Sequence, residues 1–521
     1  MAQTRVLHEP AVQMIWHELP TLVHLFKCFP ENTWSLEDEG FLVFTRTLAP
    51  KDWTAFLKYA SFVRQLGTEW CSCPWDVSET AWTAMCSLRP IHILFPHLRS
   101  IIWGNQALLA DSKQVPSLLT NVGTSLVKID FGEHAPWDDC EGTLQASFDI
   151  IAERFPALRE LNFGQNPGSG GPCGIPQIVN AFSTMACRFT SLVSFSSLNL
   201  SITPTAILSL LRLKTLRRLH VCLPDHITPQ SEHPSPCDDA PLLAQVIEVE
   251  LHYSTIQAYL AFCQAVALPH TVMLLLSLKH DIQSHLMPNI FSSIRTQCSP
   301  DSLTTIDVHD SYDGSNSEGL ILPTHLRVLL EFKRLEHFSL DLSCRYALDD
   351  SLCADMAMAW PGLRYLHIGC AFSRHHHEAL PSVRALTPFA IHCPKLEHLG
   401  LVLDATRWEN EYAYNADYTQ AEIYGALADR ASTSAVLSFC PGSSPIRGFR
   451  YMAAFLTRVF PNLKKLDHSR RMRIDGIWRQ GWSEVERLLP LFKLARQDER
   501  LRMTQELAEG PMDSQTASIG D

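Results

Sequence analysis

No stretch of this 521-residue chain is apolar for long enough to cross a membrane. The longest runs, such as Val272-Met273-Leu274-Leu275-Leu276, fall far short of the roughly 20 residues a spanning helix needs. The opening Met1-Ala2-Gln3-Thr4-Arg5-Val6 lacks the apolar centre of a secretory signal. Together these absences lead us to expect a cytoplasmic or nuclear protein. Basic charge is short as well: 43 Lys and Arg against 55 Asp and Glu leave a net charge of −12, which argues against general nucleic-acid binding. The chain holds 16 cysteines but no CxxC pair. Cys222, Cys263, Cys353 and Cys393 are scattered singly, as expected of small buried thiols in a reducing compartment.

Catalytic signatures are missing too. The glycine cluster over 168–174 does not end in the Gly-Lys-Ser/Thr of a phosphate loop, so it reads as an inserted loop. The consecutive histidines of Arg374-His375-His376-His377-Glu378 cannot share one helix face, and Cys71-Ser72-Cys73 is too tightly spaced for a structural zinc half-site. No nucleophile elbow organises the plentiful Asp, His and Ser. The sequence therefore points to no enzyme, no cofactor, and no catalytic, cofactor-binding or metal-ligating residue.

A recurring phrase stands out against these absences: Phe95-Pro96-His97-Leu98-Arg99-Ser100-Ile101, Phe155-Pro156-Ala157-Leu158-Arg159-Glu160-Leu161, Trp360-Pro361-Gly362-Leu363-Arg364-Tyr365-Leu366, Cys393-Pro394-Lys395-Leu396-Glu397-His398-Leu399 and Phe460-Pro461-Asn462-Leu463-Lys464-Lys465-Leu466. Each copy ends a helix at a proline and enters the L-x-x-L-x-L core of a leucine-rich repeat. Proline-free copies begin at Leu126, Leu192, Leu216, Leu303 and Leu335. Two degenerate strands, Val246-Ile247-Glu248-Val249-Glu250-Leu251 and Met273-Leu274-Leu275-Leu276-Ser277-Leu278, fill the gap between Leu216 and Leu303. The gap between Leu396 and Leu463 holds no good strand. The fold class expected is an α/β leucine-rich-repeat solenoid, with a parallel concave sheet, convex helices and helical caps at both ends.

Four regions follow along the chain. Residues 1–85 are expected to form a helical cap: an amphipathic helix with Pro10 in its first turn, a short helix over Thr21-Leu22-Val23-His24-Leu25-Phe26-Lys27, and a third after Pro50. The repeats occupy 86–470, interrupted by polar loops near 166–174 and 224–241 and by an inserted segment over 404–448. A C-terminal helical cap is expected over 471–508, with apolar positions at 482, 485, 488, 489, 492 and 494 and a kink at Pro490, and a disordered tail over 509–521.

The N-terminal residues carry a resemblance. Glu9-Pro10-Ala11, followed by Ile15-Trp16-His17-Glu18-Leu19-Pro20, resembles the closing helix of an F-box, and Arg46-Thr47-Leu48-Ala49-Pro50-Lys51-Asp52-Trp53 is similar to the segment leading into the repeats of fungal F-box-like proteins with degenerate leucine-rich repeats. A complete F-box spans three helices and only the last is represented here, so the resemblance implies a shortened one. It also implies an adaptor role, in which the F-box grips the linker subunit of a cullin-type ubiquitin ligase while the repeats hold a protein substrate. Ala11, Ile15 and Trp16 would make the linker contact. The same Ile15 and Trp16 can instead be read as core residues sealing the first repeat.

Alternation along each repeat strand turns the leucines inward and the residues between them outward. Arg218, His220, His337, Tyr365, His367 and His398 are the outward residues expected to form a concave binding face for a protein substrate or ligand. Parallel strands about 4.8 Å apart would set His337, Tyr365 and His398 in one column. The expected function is a non-catalytic protein-binding adaptor resembling an F-box substrate receptor. The alternative is a free-standing scaffold or ligand-binding repeat protein with no ligase connection. Neither nucleic acid nor membrane is an expected partner.

Overall fold

In the copies at Pro156, Pro361, Pro394 and Pro461 the residue before proline ends a helix and proline takes the second place of a turn, whereas before Pro96 the helix has already ended at Leu88. The amide of Leu158 donates to the Phe155 carbonyl at 3.1 Å, and Leu363 to Trp360, Leu396 to Cys393 and Leu463 to Phe460 repeat that bond at the same length. Proline suits the position because its ring presets φ and no partner is required for an N–H. The turn then aims two amides at the preceding repeat. Arg364 and Tyr365 both donate to the Glu336 carbonyl, at 2.7 and 3.1 Å, as Arg159 and Glu160 do to Val127, at 2.8 and 3.0 Å. A local turn thereby fixes the register of the strand it precedes.

The structure is a computed structural model that describes the chain apart from residues 1, 39, 70–72, 104–111, 133–140, 165–174, 199, 225–240, 254, 279–285, 311–318, 371–378, 407–426, 428–430, 468–475 and 510–521. It divides into two units, Met1–Thr271 and Val272–Asp521. In the first, parallel strands pair in chain order: β1 (Glu18–Leu19), β2 (Gln65–Leu66), β3 (Ser100–Ile102), β4 (Lys128–Asp130), β5 (Glu160–Asn162), β6 (Ser194–Ser197), β7 (Arg218–Leu223) and β8 (Glu248–Tyr253). The second continues the pattern with β9 (Met273–Leu278), β10 (Thr305–Asp310), β11 (His337–Asp341), β12 (Tyr365–Ile368), β13 (His398–Leu401), β14 (Ser438–Cys440) and β15 (Lys465–Leu466). Each unit is built as an α/β leucine-rich-repeat solenoid.

Between strands and helices lies the core. Leu98, Leu158, Leu363 and Leu396 are fully buried, and so are Phe95, Phe155, Trp360 and Cys393, the residues before the prolines. Just beyond β3, β4 and β5, Trp103, Phe131 and Phe163 stack one above the next at 4.7 and 4.8 Å, the repeat's apolar ladder made aromatic. Side-chain caps start several of the helices: Ser78 accepts from the Ala81 amide, Thr203 from Ala206, Thr255 from Ala258 and Asp349 from Leu352.

Several expectations need correction. The ladder begins at β1 and β2, inside the region read as purely helical, and Trp34–Leu36, Phe41–Phe44 and Asp76–Val77 add a small sheet there. Pro10 lies within the helix Ala2–His17 rather than in its first turn, and Pro490 lies within a single helix, Gly476–Glu509. Both prolines are exposed, so water can take up the carbonyls they leave unpaired. A strand, β14, occupies the gap between Leu396 and Leu463 where none was foreseen; its apolar signal is a single phenylalanine, Phe439. The loops near 166–174 and 224–241, most of the 404–448 segment and the tail fall largely outside the described residues. No helix among the described residues is long and apolar enough to cross a membrane.

Candidate binding face

Pairing in register sets the outward residues of the second unit in rows. Thr305, His337, Tyr365, His398, Ser438 and Lys465 form one row, and Asp307, Ser339, His367, Gly400 and Cys440 the next. The first row carries stacked rings: His337 lies 4.2 Å from Tyr365 with planes 4° apart, and Tyr365 lies 4.4 Å from His398 at 12°. His367 joins from the second row, its Nδ1 3.3 Å from His398 Nε2 and its ring 5.6 Å from that of His398. All four side chains are half-buried.

Burial governs their charge. It pushes His337 and His367 below the ordinary histidine value despite the opposing pull of Asp307. His398 falls to about 4, through burial first and then the neighbouring His367. Tyr365 is pushed up to about 12, again chiefly by burial. At neutral pH the cluster is therefore an uncharged aromatic surface. Carboxylates adjoin it: Asp341 Oδ2 lies 3.9 Å from His367 Nε2, and Asp307 contacts His309 at 3.3 Å.

Arg218 and His220 lie in the first unit and are engaged by their neighbours. Arg218 pairs with Glu160 at 3.7 Å, and Glu160 also holds Lys128 at 3.6 Å. His220 bridges Glu248 at 3.0 Å and Glu250 at 3.5 Å, and Glu250 reaches on to His252 at 2.8 Å. Of the six face residues named from sequence, the structure thus gathers His337, Tyr365, His367 and His398 into one cluster and places Arg218 and His220 in a separate ionic row.

The N-terminal trio is also divided. Ala11 and Ile15, a helical turn apart, are exposed, Ile15 at 71%, together with Met14 at 79%. Trp16 turns away and stacks on Tyr59 at 4.5 Å and 15°. Ile15 is therefore not a core residue, correcting the reading that it seals the first repeat. Trp16 alone packs onto the helix Trp53–Ala60. In the segment before that helix, Arg46 forks onto the carboxylate of Asp52 at 2.7 and 3.2 Å, and the Ala49 amide donates to the same group at 2.8 Å.

One grouping escaped the sequence. His367, Cys370 and Cys440 bring their ligand atoms within 4.8 Å of one another, the one such set of three or more metal-ligating residue types among the described residues. Both cysteines are buried. The Cys370 thiol donates toward the carbonyls of Ile368 at 3.4 Å and Cys440 at 3.5 Å, and burial raises it well above the ordinary thiol range. Cys370 and Cys440 stand 70 residues apart, and the strand carrying Cys440 has too weak a pattern to be legible in the sequence. The only hint in the sequence was Gly400, a glycine where the repeat normally places an outward side chain. The run of histidines over 375–377 and Cys71 lie outside the described residues.

No family model and no curated protein matches the chain. Solved structures to which it is similar include an internalin (inlF) from Listeria monocytogenes, at 9% identity over 80% of this chain and 89% of that one, with a TM-score of 0.36. A chain of the yeast Rad7 and Elc1 complex is similar at 11% identity over 92% and 96%, with a TM-score of 0.38. The plant peptide hormone receptor RGFR1, in complex with RGF2, is similar at 13% identity over 80% and 64%, with a TM-score of 0.32.

Proposed function

We propose that the chain is a non-catalytic protein-binding repeat scaffold that holds its partner on the strand face of the second unit, and that it resembles an F-box substrate receptor of a cullin-type ubiquitin ligase. The observation that carries the binding role is the stack of His337, Tyr365 and His398 at 4.2 and 4.4 Å. Stacked rings are already ordered, so a partner gains apolar area and hydrogen bonds at small entropic cost. Adjoining carboxylates favour a planar or cationic group such as an arginine side chain. Selection from a displayed peptide library tests this. Enriched peptides should carry arginine or aromatic residues, and Tyr365→Ala should weaken them about 30-fold or more, as loss of a central aromatic anchor does. Peptides bound equally well by the Tyr365→Ala chain would refute the assignment.

The ligase connection rests on Ala11 and Ile15, which leave an apolar helical face exposed with Met14. Co-purification with the linker subunit tests it: capture that Ile15→Asp abolishes, with melting unchanged, supports the adaptor. The free-standing scaffold is favoured by Trp16, whose ring is committed to Tyr59. Absence of capture by the intact chain would select that second reading.

A further inference from the structure

We propose that His367, Cys370 and Cys440 form a zinc-binding site on the strand face of the second unit, beside the ring stack. The inference stands apart from the partner-binding reading, because the ion would be held with no partner present.

Three independent features of the site point this way. The first is donor chemistry: two thiols and an imidazole have ligand atoms within 4.8 Å of one another. Zinc bonded at about 2.3 Å to sulfur and 2.0–2.1 Å to nitrogen needs such atoms roughly 3.5–4 Å apart, a small contraction. Soft sulfur with imidazole selects zinc over magnesium or calcium.

Space is the second feature. His367, Gly400 and Cys440 occupy one row across β12, β13 and β14. A Cβ on Gly400 would lie 2.4 Å from His367 Nδ1, so the missing side chain is what lets the imidazole lean across β13 toward Cys440. Gly442, at φ 56°, brings the chain after β14 so close that a Cβ there would stand 3.0 Å from Cys370 Cα. Two glycines, Gly400 on β13 and Gly442 just after β14, thus provide the close approach at the site.

The third feature is orientation. His398 Nε2 lies 3.3 Å from His367 Nδ1, and Asp341 Oδ2 lies 3.9 Å from its Nε2. Nδ1 has a hydrogen-bonding partner in His398 and Nε2 faces the more distant carboxylate, so ligation through Nε2 would leave Nδ1 its orienting partner, as metal-bound histidines require. Binding would release the two thiol protons, and Cys370 would exchange its weak bonds to the Ile368 and Cys440 carbonyls for a metal–sulfur bond. A donor set of two cysteines and one histidine leaves the fourth position to water.

The test uses the full chain, purified under reducing conditions, stripped with chelator and titrated with cobalt(II) and then zinc(II). One equivalent of cobalt should bind with the charge-transfer absorption of two thiolates and the ligand-field bands of four-coordination, and zinc should displace it. Cys370→Ser and Cys440→Ser should each remove the two-thiolate signature. His398→Gln should weaken affinity by about 10–100-fold, the usual effect of losing an orienting partner. Cys187→Ser, on an exposed cysteine, should change nothing. Should a cysteine variant fail to fold, Gly400→Ala retains all three ligands, displaces only His367, and should cost at least about tenfold in affinity. Cobalt bound without thiolate absorption, binding untouched by Cys440→Ser and Gly400→Ala, or a Cys370–Cys440 disulfide recovered in place of metal would each overturn the site.

Discussion

Gly400 lies directly across the ladder from His367, and a methyl group on it would stand 2.4 Å from the imidazole Nδ1. The repeat places a side chain at the corresponding position of neighbouring strands, including His367 itself and Ser339. Omitting one side chain at Gly400 opens the room in which the ring reaches both His398 and the Cys440 side of the sheet.

Gly400→Ala should accordingly destabilise the second unit by about 1–3 kcal/mol, the usual cost of overpacking. Thermal melts measure the loss, and imidazole NMR resonances of His367 and His398 should shift together. Unshifted resonances would mean that the ring has another way to sit.

Trp16→Ala should lower stability by about 1–3 kcal/mol, since it removes a half-buried ring stacked on Tyr59. Ile15→Ala, at 71% exposure, should stay within about 0.5 kcal/mol of the parent. Denaturant titration of the two variants distinguishes a helix that seals the repeats through one residue from one that does so through both.

Asp310 closes β10 with its carboxylate buried, accepting from the Ser343 amide at 2.6 Å and hydroxyl at 3.0 Å. Burial, with Asp341 adding repulsion, raises it to about 6, while the Ser343 bonds and His309 pull the other way. A carboxyl raised on folding contributes stability fully below its unfolded value near pH 4 and loses it as pH climbs through about 6. Relative to Asp310→Asn, the parent should therefore lose on the order of 2–3 kcal/mol between about pH 4 and 7. Urea titrations of both proteins across that range give the difference; a constant gap would refute it.

Trp482 is fully buried near the start of the C-terminal helix, and its indole N–H donates to the Ser444 carbonyl at 2.9 Å. Close approach is possible there because the preceding residue is Gly481, where a Cβ would lie 2.5 Å from Ile446 Cγ2. Trp482→Ala should cost about 3–5 kcal/mol. Limited proteolysis should then cut first at the junction before this helix, as it loses its anchor; cleavage unchanged from the parent would show that Val485 and Leu489 suffice.

The sequence by itself determined the repeat. Phe155-Pro156-Ala157-Leu158 and its copies encode a turn closed by one local hydrogen bond, and that turn sets the register of the next strand. Alternation then dictates which side chains face outward, so the column of His337, Tyr365 and His398 followed from strand pairing alone. The helix Trp53–Ala60 was legible for the same reason, an apolar stripe at helical spacing. What the sequence could not show is how an exposed-looking helix divides its apolar residues. Ile15 and Trp16 are neighbours in the chain, yet only contact with Tyr59 decides that one is packed and the other bare. Nor could it show that Cys370 and Cys440, 70 residues apart, meet at His367. That meeting depends on β14, a strand too short to announce itself, and on Gly400 and Gly442, whose contribution is the absence of a side chain. Local pattern specifies a repeat because each turn and strand satisfies its own backbone bonds. A site assembled from the ends of different repeats depends on how closely the chains approach, and only the tertiary structure decides that.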